Sequence, residues 1–104
     1  MEQQLKSISL KQDRNFFFIF MILGILLNFM AVSVNNSMMP VKTDIKFNDG
    51  FWFSYQNNSE VKIWILTDIF NINNYVVFSI GDIIVLFGLV GFIIKNVMIV
   101  KNEK

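Results

Sequence analysis

An apolar segment near the end of the chain, residues 76–100, limits most strictly what this sequence can fold into. It reads VVFSIGDIIVLFGLVGFIIKNVMIV and carries only two charged side chains, Asp82 close to its start and Lys95 close to its end. At about 1.5 Å per residue, a helix of this length crosses a hydrocarbon core of roughly 30 Å. The segment therefore predicts a membrane-spanning helix over residues 79–100.

A second apolar segment lies earlier, over residues 16–34, and contains no charged residue. Its length also matches a bilayer core, so it predicts a first membrane-spanning helix. A cleaved signal peptide is the alternative, because basic residues precede the segment and Ala31 with Ser33 forms a small-residue cleavage pattern. The segment is longer than the roughly 7–15 apolar residues usual for signal peptides, which favours an uncleaved anchor.

Composition excludes several classes of protein. Of the 104 residues, 54% are hydrophobic and 16% are charged, which is too apolar for a soluble domain of this size. The absence of cysteine and histidine excludes disulfide frameworks, thiol nucleophiles and imidazole-based catalysis or metal binding. A net charge of +1 provides no basic surface for nucleic acid. The composition thus predicts a protein that is not an enzyme, with no catalytic, cofactor-binding or metal-binding residues.

The two apolar segments predict an all-α membrane protein, whose two transmembrane helices form an antiparallel hairpin with a short interfacial helix in the connecting loop. The predicted order is a tail (1–15), helix 1 (16–34), an extracytoplasmic loop with interfacial segments (35–78), helix 2 (79–100) and a second tail (101–104). The first tail is expected to be frayed, and a short helix lying on the membrane surface is the alternative.

Within the loop, Pro40 keeps Met39 extended, and Asn48-Asp49-Gly50 marks a tight turn. Residues 60–70 predict the short helix, with Ser59 as its cap. The residue pattern leaves open whether the loop is re-entrant, interfacial or extracellular.

Small residues on each apolar segment predict how the helices pack. Gly24, Asn28 and Ala31 share one face of the first helix, and Gly81, Gly88 and Gly91 share a narrow arc of the second. Such faces let membrane helices approach closely, and a single polar member can hydrogen-bond across the contact. The predicted contact places the first face against Gly88 and Gly91, and a packing role for Asn28 is favoured over a ligand site.

Two acidic residues stand in strongly apolar surroundings, Asp68 and Asp82. Ser79 is a good N-cap for the second helix, and Asp82 then falls where its carboxylate reaches back to the cap amide. Capping is the favoured interpretation. A buried carboxylate that serves as proton carrier, cation ligand or general acid is the alternative.

The basic residues predict the orientation of the hairpin. Lys6, Lys11, Arg14, Lys95, Lys101 and Lys104 lie at the end that holds the termini, and Lys42, Lys46 and Lys62 lie in the loop among acidic residues. The positive-inside rule therefore predicts a multi-pass protein of the cell membrane with both termini in the cytoplasm.

Three motifs occur in order: NNSMMPV at residues 35–41, KIWILTDI at 62–69 and VFSIGDI at 77–83. Together they resemble the second half of the bacterial membrane proteins grouped as DUF5317, over residues 26–94. The motif residues are Met39, Pro40, Trp64, Asp68, Phe78, Ser79, Gly81 and Asp82.

The resemblance implies a bacterial membrane protein. It implies no particular activity, because the function of the family is unassigned. Two departures stand out. Family members are typically longer, which implies that another subunit supplies further helices. Asn36, Ser37 and Thr67 also stand where glycines are common in the family.

No cluster of residues identifies a reaction or a ligand. The sequence therefore predicts a small integral membrane protein that acts as an accessory or interaction subunit, in contact with lipid and with a second copy of itself or another membrane protein. One alternative is a carboxylate-dependent ion or proton site, or a lipid-acting enzyme, built around Asp82 and Asp68. Another is a toxin-like or self-immunity membrane protein, which would affect growth on expression alone.

Overall fold

The computed structural model describes residues 1–73 and 76–103, in which two long helices are joined by a β-rich segment. The elements in order are α1 (Glu2–Ser33), β1 (Met39–Lys42), β2 (Trp52–Tyr55), β3 (Phe70–Ile72), β4 (Val76–Phe78) and α2 (Ile80–Glu103), with 3₁₀ turns at Asn58–Glu60 and Trp64–Leu66. Lys104, in the predicted tail, and Asn74 and Tyr75, in the predicted loop, lie outside the described residues. The chain forms a rod of 59 × 26 × 20 Å.

Helix α1 begins at Glu2, so the frayed tail expected for residues 1–15 is instead helical. The C-terminal turns of α2 supply the partners that order this region. Leu10 and Ile99 are 5% and 6% exposed, and Lys95 Nζ lies 3.2 Å from the Asp13 carboxylate. With 32 residues, α1 is about 48 Å long and extends well beyond the apolar segment.

The two helices form an antiparallel hairpin, as predicted, but in a different register. A Cβ atom on Gly24 would lie 2.6 Å from the carbonyl oxygen of Gly81, so the backbones approach closely there. The predicted contact of Gly24 with Gly88 and Gly91 is therefore wrong. Gly88 and Gly91 pack instead against Phe17, whose ring occupies the space above Gly91.

The β-rich segment corrects the all-α prediction, because its chain pairs with itself instead of forming a short helix. Strands β1 and β2 run parallel, with Met39 opposite Trp52, and β3 and β4 are antiparallel. Asp68 borders the other side of β1. Its N–H donates to the Pro40 carbonyl at 3.0 Å, and its own carbonyl accepts from the Lys42 N–H at 3.0 Å.

The helix predicted for residues 60–70 is absent, and its place is taken by extended chain and the 3₁₀ turn Trp64–Leu66. The segment is rich in β-branched residues, which lose side-chain freedom in a helix. Ile63 adopts φ 48°, a left-handed conformation that no right-handed helix tolerates. The predicted cap, Ser59, lies inside the other 3₁₀ turn, and Asn57 precedes that turn as its cap residue.

The chain leaves α1 through a tight reversal that a single side chain stabilises. Asn36 and Ser37 adopt φ 60° and 62°, in the left-handed region. The Asn35 side chain is buried, and its amide nitrogen donates to the carbonyls of Ala31 at 2.8 Å and Lys62 at 2.9 Å. Its Oδ1 accepts from the Lys62 N–H at 2.9 Å. This amide holds the β-rich segment against the end of α1.

Candidate functional site

A cavity of about 460 Å³ lies where the loop end of the helix hairpin meets the β-rich segment. The residues that give it chemical character are Asn28, Asp68 and Asp82, which are polar, and Met39, Phe51 and Trp52, which are apolar or aromatic. Helix α1 supplies Asn28, helix α2 supplies Asp82, and the β-rich segment supplies the others. The cavity thus brings together the two acidic residues singled out in the sequence.

Asp82 is held by the N-terminus of α2 and by α1. The Ser79 N–H donates to Asp82 Oδ2 at 2.9 Å, and the Asp82 N–H donates to Ser79 Oγ at 3.1 Å. These are the hydrogen bonds that the capping interpretation requires. Asn28 closes the ring, because its Nδ2 donates to Asp82 Oδ1 at 2.8 Å and its Oδ1 accepts from Ser79 Oγ at 2.6 Å.

This ring explains how an amide is accommodated inside an apolar helix. Asn28 was expected to contribute to a packing face, and a Cβ on Gly81 would indeed collide with its side chain. Its amide also pairs with the helix cap, so donor and acceptor are both used. The pairing of Asn28 with Ser79 and Asp82 was missed in the sequence, although a polar residue within each apolar segment was its visible signal.

Asp68 differs from Asp82 in the hydrogen bonding of its carboxylate. The residue is 5% exposed, and among the described residues Oδ1 has no hydrogen-bond partner. Its backbone bonds to β1 fix it in place. Burial, with a smaller contribution from the charge of Asp82, raises the pKa of the Asp68 carboxyl from its usual 3.8 to about 7.

Asp68 also lines a second cavity, which holds a further carboxylate. This cavity of about 390 Å³ is lined by Asp68, Asp49 and Trp52. The N–H groups of Trp52 and Phe51 donate to the Asp49 carboxylate and hold its pKa below the usual range, so it stays ionised. Among the described residues that line the two cavities, none is basic. Within this described lining, the negative charge is not balanced by a basic side chain.

The remaining predicted residues serve the fold around the cavity. On the helices, Gly24, Ala31, Gly81 and Gly88 are buried, and Gly91 is partly buried. In the β-rich segment, Met39 and Pro40 are buried in β1 and Phe78 stacks on Phe70. Trp64 is 42% exposed and lies beneath Lys42. Of this set, Met39 alone lines the cavity with Asn28, Asp68 and Asp82. The motif residues thus divide between one polar site and the packing that supports it.

Two structural features near the site were missed. The Tyr55 hydroxyl and Thr67 Oγ1 lie 2.6 Å apart and are buried, and Thr67 donates to the Trp64 carbonyl at 2.6 Å. These bonds position the residue next to Asp68. Trp52 reaches the cavity through the pairing of β1 with β2, which no local sequence pattern indicates.

The geometry of the cavity suits the neutralisation of charge. Within residues 1–73 and 76–103, no group of three or more acidic side chains surrounds one point. The cavity presents two carboxylates beside aromatic rings, and the Asp68 Oδ1 atom has no hydrogen-bond partner among the described residues. Such a site can bind a proton or a cationic group.

The family assignment covers the helices and the cavity together. The model of DUF5317, a family of unknown function, matches residues 5–94. This chain belongs to the DUF5317 family. The match confirms the resemblance drawn from the three motifs and extends it toward the start of α1. In this DUF5317 chain the matched range includes every residue of the polar ring and Asp68. No curated protein and no solved structure matches the chain.

Proposed function

We propose that this DUF5317 chain is an integral membrane protein whose helix hairpin crosses the bilayer. Both helices are long and apolar enough to do so, and only 11% of the most apolar window of each is buried. A core helix of a soluble protein would be mostly buried. This exposure is the observation that carries the proposal.

The outward faces of the hairpin support lipid contact. Ile19 and Phe29 on α1 are 62% and 65% exposed, and Leu86 on α2 is 60% exposed. In water each large apolar side chain left exposed forfeits about 1.5–3 kcal/mol of burial free energy. A hydrocarbon environment removes that cost, and the helical backbone satisfies its own hydrogen bonds there.

The orientation follows from the charges at the two ends of the rod. The terminal end carries Lys6, Lys11, Arg14, Lys95 and Lys101, and the loop end carries Lys42, Lys46 and Lys62 beside several acidic residues. We therefore place both termini in the cytoplasm and the β-rich segment outside. The close packing of α1 along α2 supports an uncleaved anchor.

We further propose that the chain acts as a non-catalytic accessory subunit that binds a second copy or another membrane protein. The glycine faces cannot serve this contact, because Gly24, Gly81 and Gly88 are used inside the hairpin. The contact then uses outward side chains such as Leu86. Lipid covers the rest of the apolar surface.

Site-specific photo-crosslinking in cells tests the accessory role. A photoreactive residue at Leu86 should give a discrete protein adduct, and one at the inward-facing Phe17 should give none. An adduct of twice the 12.2 kDa chain mass indicates self-association, and any other discrete mass indicates another subunit. Adducts to lipid alone from Leu86 and Ile19 would contradict the role as a subunit.

A second candidate function is a carboxylate-dependent ion or proton site. It is favoured by the Asp68 Oδ1 atom, which has no hydrogen-bond partner among the described residues, and by Asp82 in the same cavity. Infrared spectroscopy of the carboxyl C=O band should show one group that titrates near neutral pH and that vanishes in Asp68→Asn. If the band is the same in Asp68→Asn and wild type, this candidate fails.

A further inference from the structure

We propose that the cavity between Asp68 and Asp82 binds an organic ammonium group, with Trp52 and Phe51 against its carbon substituents. The proposal names the ligand class for the second candidate function and rests on it. It does not depend on the accessory role, because the cavity lies within one chain.

The first argument is charge. Asp68 is 5% exposed, lacks a hydrogen bond to Oδ1, and shares the cavity with a second carboxylate. No described residue that lines the cavity is basic. Buried charges in proteins are normally paired, because an isolated one loses its hydration without compensation. A bound cation supplies the missing partner.

The second argument is the geometry of the acceptors. Each oxygen of Asp82 accepts one hydrogen bond, from Asn28 or from the Ser79 N–H, which leaves further acceptor capacity on both. The terminal torsion of an aspartate is broad, so either oxygen of Asp68 can turn toward the cavity at low cost. An ammonium group with several N–H donors can bridge the two carboxylates.

The third argument separates an ammonium group from a bare metal ion. Calcium takes about 6–8 oxygen ligands, and magnesium about six. Here the described wall offers two carboxylates, the Asn28 amide and the Ser37 hydroxyl, and the remaining lining side chains are apolar or aromatic. About 460 Å³ is also far larger than a metal ion needs. Aromatic rings beside carboxylates suit a cation that carries carbon, through cation–π contact and apolar burial.

Two sources can provide this chemistry, a small free amine or the headgroup of phosphatidylethanolamine. The cavity lies at the loop end of the hairpin, which the proposed topology places near the outer headgroups. Phe51 at its rim is 74% exposed. The ammonium group is common to both sources, and separate arms of one experiment distinguish them.

The experiment uses Trp52 as its own reporter. The chain has two tryptophans, so Trp64→Phe leaves Trp52 alone beside the cavity. We expect a saturable change in Trp52 fluorescence when ethanolamine is titrated into protein in mild detergent. In the lipid arm, we expect the same change on transfer from phosphatidylcholine nanodiscs to nanodiscs containing phosphatidylethanolamine. A response in one arm alone identifies the source.

Matched variants separate binding from folding. Asp68→Asn should weaken binding by roughly tenfold or more, because it removes one of the two carboxylate charges that line the cavity. Asp68→Glu should retain part of the affinity. Asp44→Asn is the control, since it makes the same charge change at an exposed position outside this cavity. Circular dichroism with the Trp52 emission maximum checks that each variant is folded.

Three outcomes would overturn the proposal: no response in either arm, saturation by sodium or calcium chloride but not by ethanolamine, or equal affinity in Asp68→Asn. The infrared titration of Asp68 is independent of these results. If that titration is present while both amines fail, the carboxylate site stands and the ammonium ligand is refuted. If the infrared titration and the amine binding are both absent, the ammonium proposal and the second candidate function are both refuted.

Discussion

Asp68→Asn should make the β-rich segment more stable than wild type above neutral pH. The wild-type carboxyl is 5% exposed, and its pKa is raised from 3.8 to about 7. At about 1.4 kcal/mol per pH unit, that difference amounts to roughly 4 kcal/mol. The asparagine is isosteric and neutral, so it carries no such penalty.

The sign of the pH dependence follows from the direction of the pKa change. Because the folded state holds the Asp68 proton more tightly than the unfolded chain, protonation stabilises the fold. This stabilisation is complete below the unfolded pKa of 3.8 and is lost as the pH rises through about 7. The free energy of unfolding of wild type should therefore fall relative to that of Asp68→Asn as the pH rises from 3.8 to about 7. Above about pH 7 the difference between the two proteins should stay constant.

Amide hydrogen exchange at Lys42 measures this effect locally, because its N–H donates to the Asp68 carbonyl at 3.0 Å. Comparing the two proteins at the same pH cancels the intrinsic pH dependence of exchange. The ratio of their protection should change by roughly a thousandfold between about pH 4 and about pH 8 in amine-free buffer. Asp44→Asn should follow wild type. A constant ratio between Asp68→Asn and wild type would refute the reasoning.

Three further substitutions test the packing. Gly81→Ala should lower stability in detergent by about 1–3 kcal/mol, since its Cβ would collide with the Asn28 side chain; an unchanged melting temperature would contradict the close helix contact. Ser37→Gly should raise stability by about 1 kcal/mol because φ is 62° there, whereas Ser9→Gly inside α1 should lower it by a similar amount. Asn35→Ala removes three hydrogen bonds and should speed exchange of the Lys62 N–H tenfold or more; equal exchange would show that the amide does not hold the segment.

The helix hairpin and the cap of its second helix could be predicted from the sequence because their signals are local. The apolar segments give the helices directly, and the spacing of Ser79 and Asp82 gives the capping bonds. The antiparallel arrangement follows from the prediction that both helices cross one membrane, since the second helix must then return across it.

The helix register could not be predicted, because it depends on which side chain fills each gap. Gly24, Gly81, Gly88 and Gly91 all offer close approach, so small residues alone allow several pairings. The Phe17 ring over Gly91 and the hydrogen bonds of Asn28 at the other end select one of them.

The strands could not be predicted, because each is three or four residues long and pairs with a segment outside its own local sequence. The parallel pair β1 and β2 is joined by residues 43–51, a connection shorter than parallel strands usually need. Turn chemistry at Asp49 makes it possible, since the Asp49 carboxylate accepts from the Phe51 and Trp52 N–H groups.

The sequence indicates the two acidic residues of the candidate site but does not indicate that they share one cavity. Asp68 and Asp82 stood out as acids among apolar residues, but 14 positions separate them, and their meeting depends on the bridge between Asp68 and Val41. The family resemblance implies that glycines are common at positions 36 and 37. In this chain Asn36 and Ser37 occupy these positions, and both adopt left-handed backbone. Replacing a glycine by Asn36 or Ser37 therefore adds backbone strain at this turn, because a residue with a Cβ atom adopts a positive φ at a cost.

The central claim is a hairpin that crosses the membrane with its termini in the cytoplasm and its cavity outside. The chain has no cysteine, so a single introduced thiol reports one position. With a membrane-impermeant maleimide, Asp44→Cys in the β-rich segment should label in intact cells, and Gln4→Cys at the start of α1 should label only after the membrane is opened. Labelling of Gln4→Cys in intact cells, or of Asp44→Cys only after opening, would contradict the account.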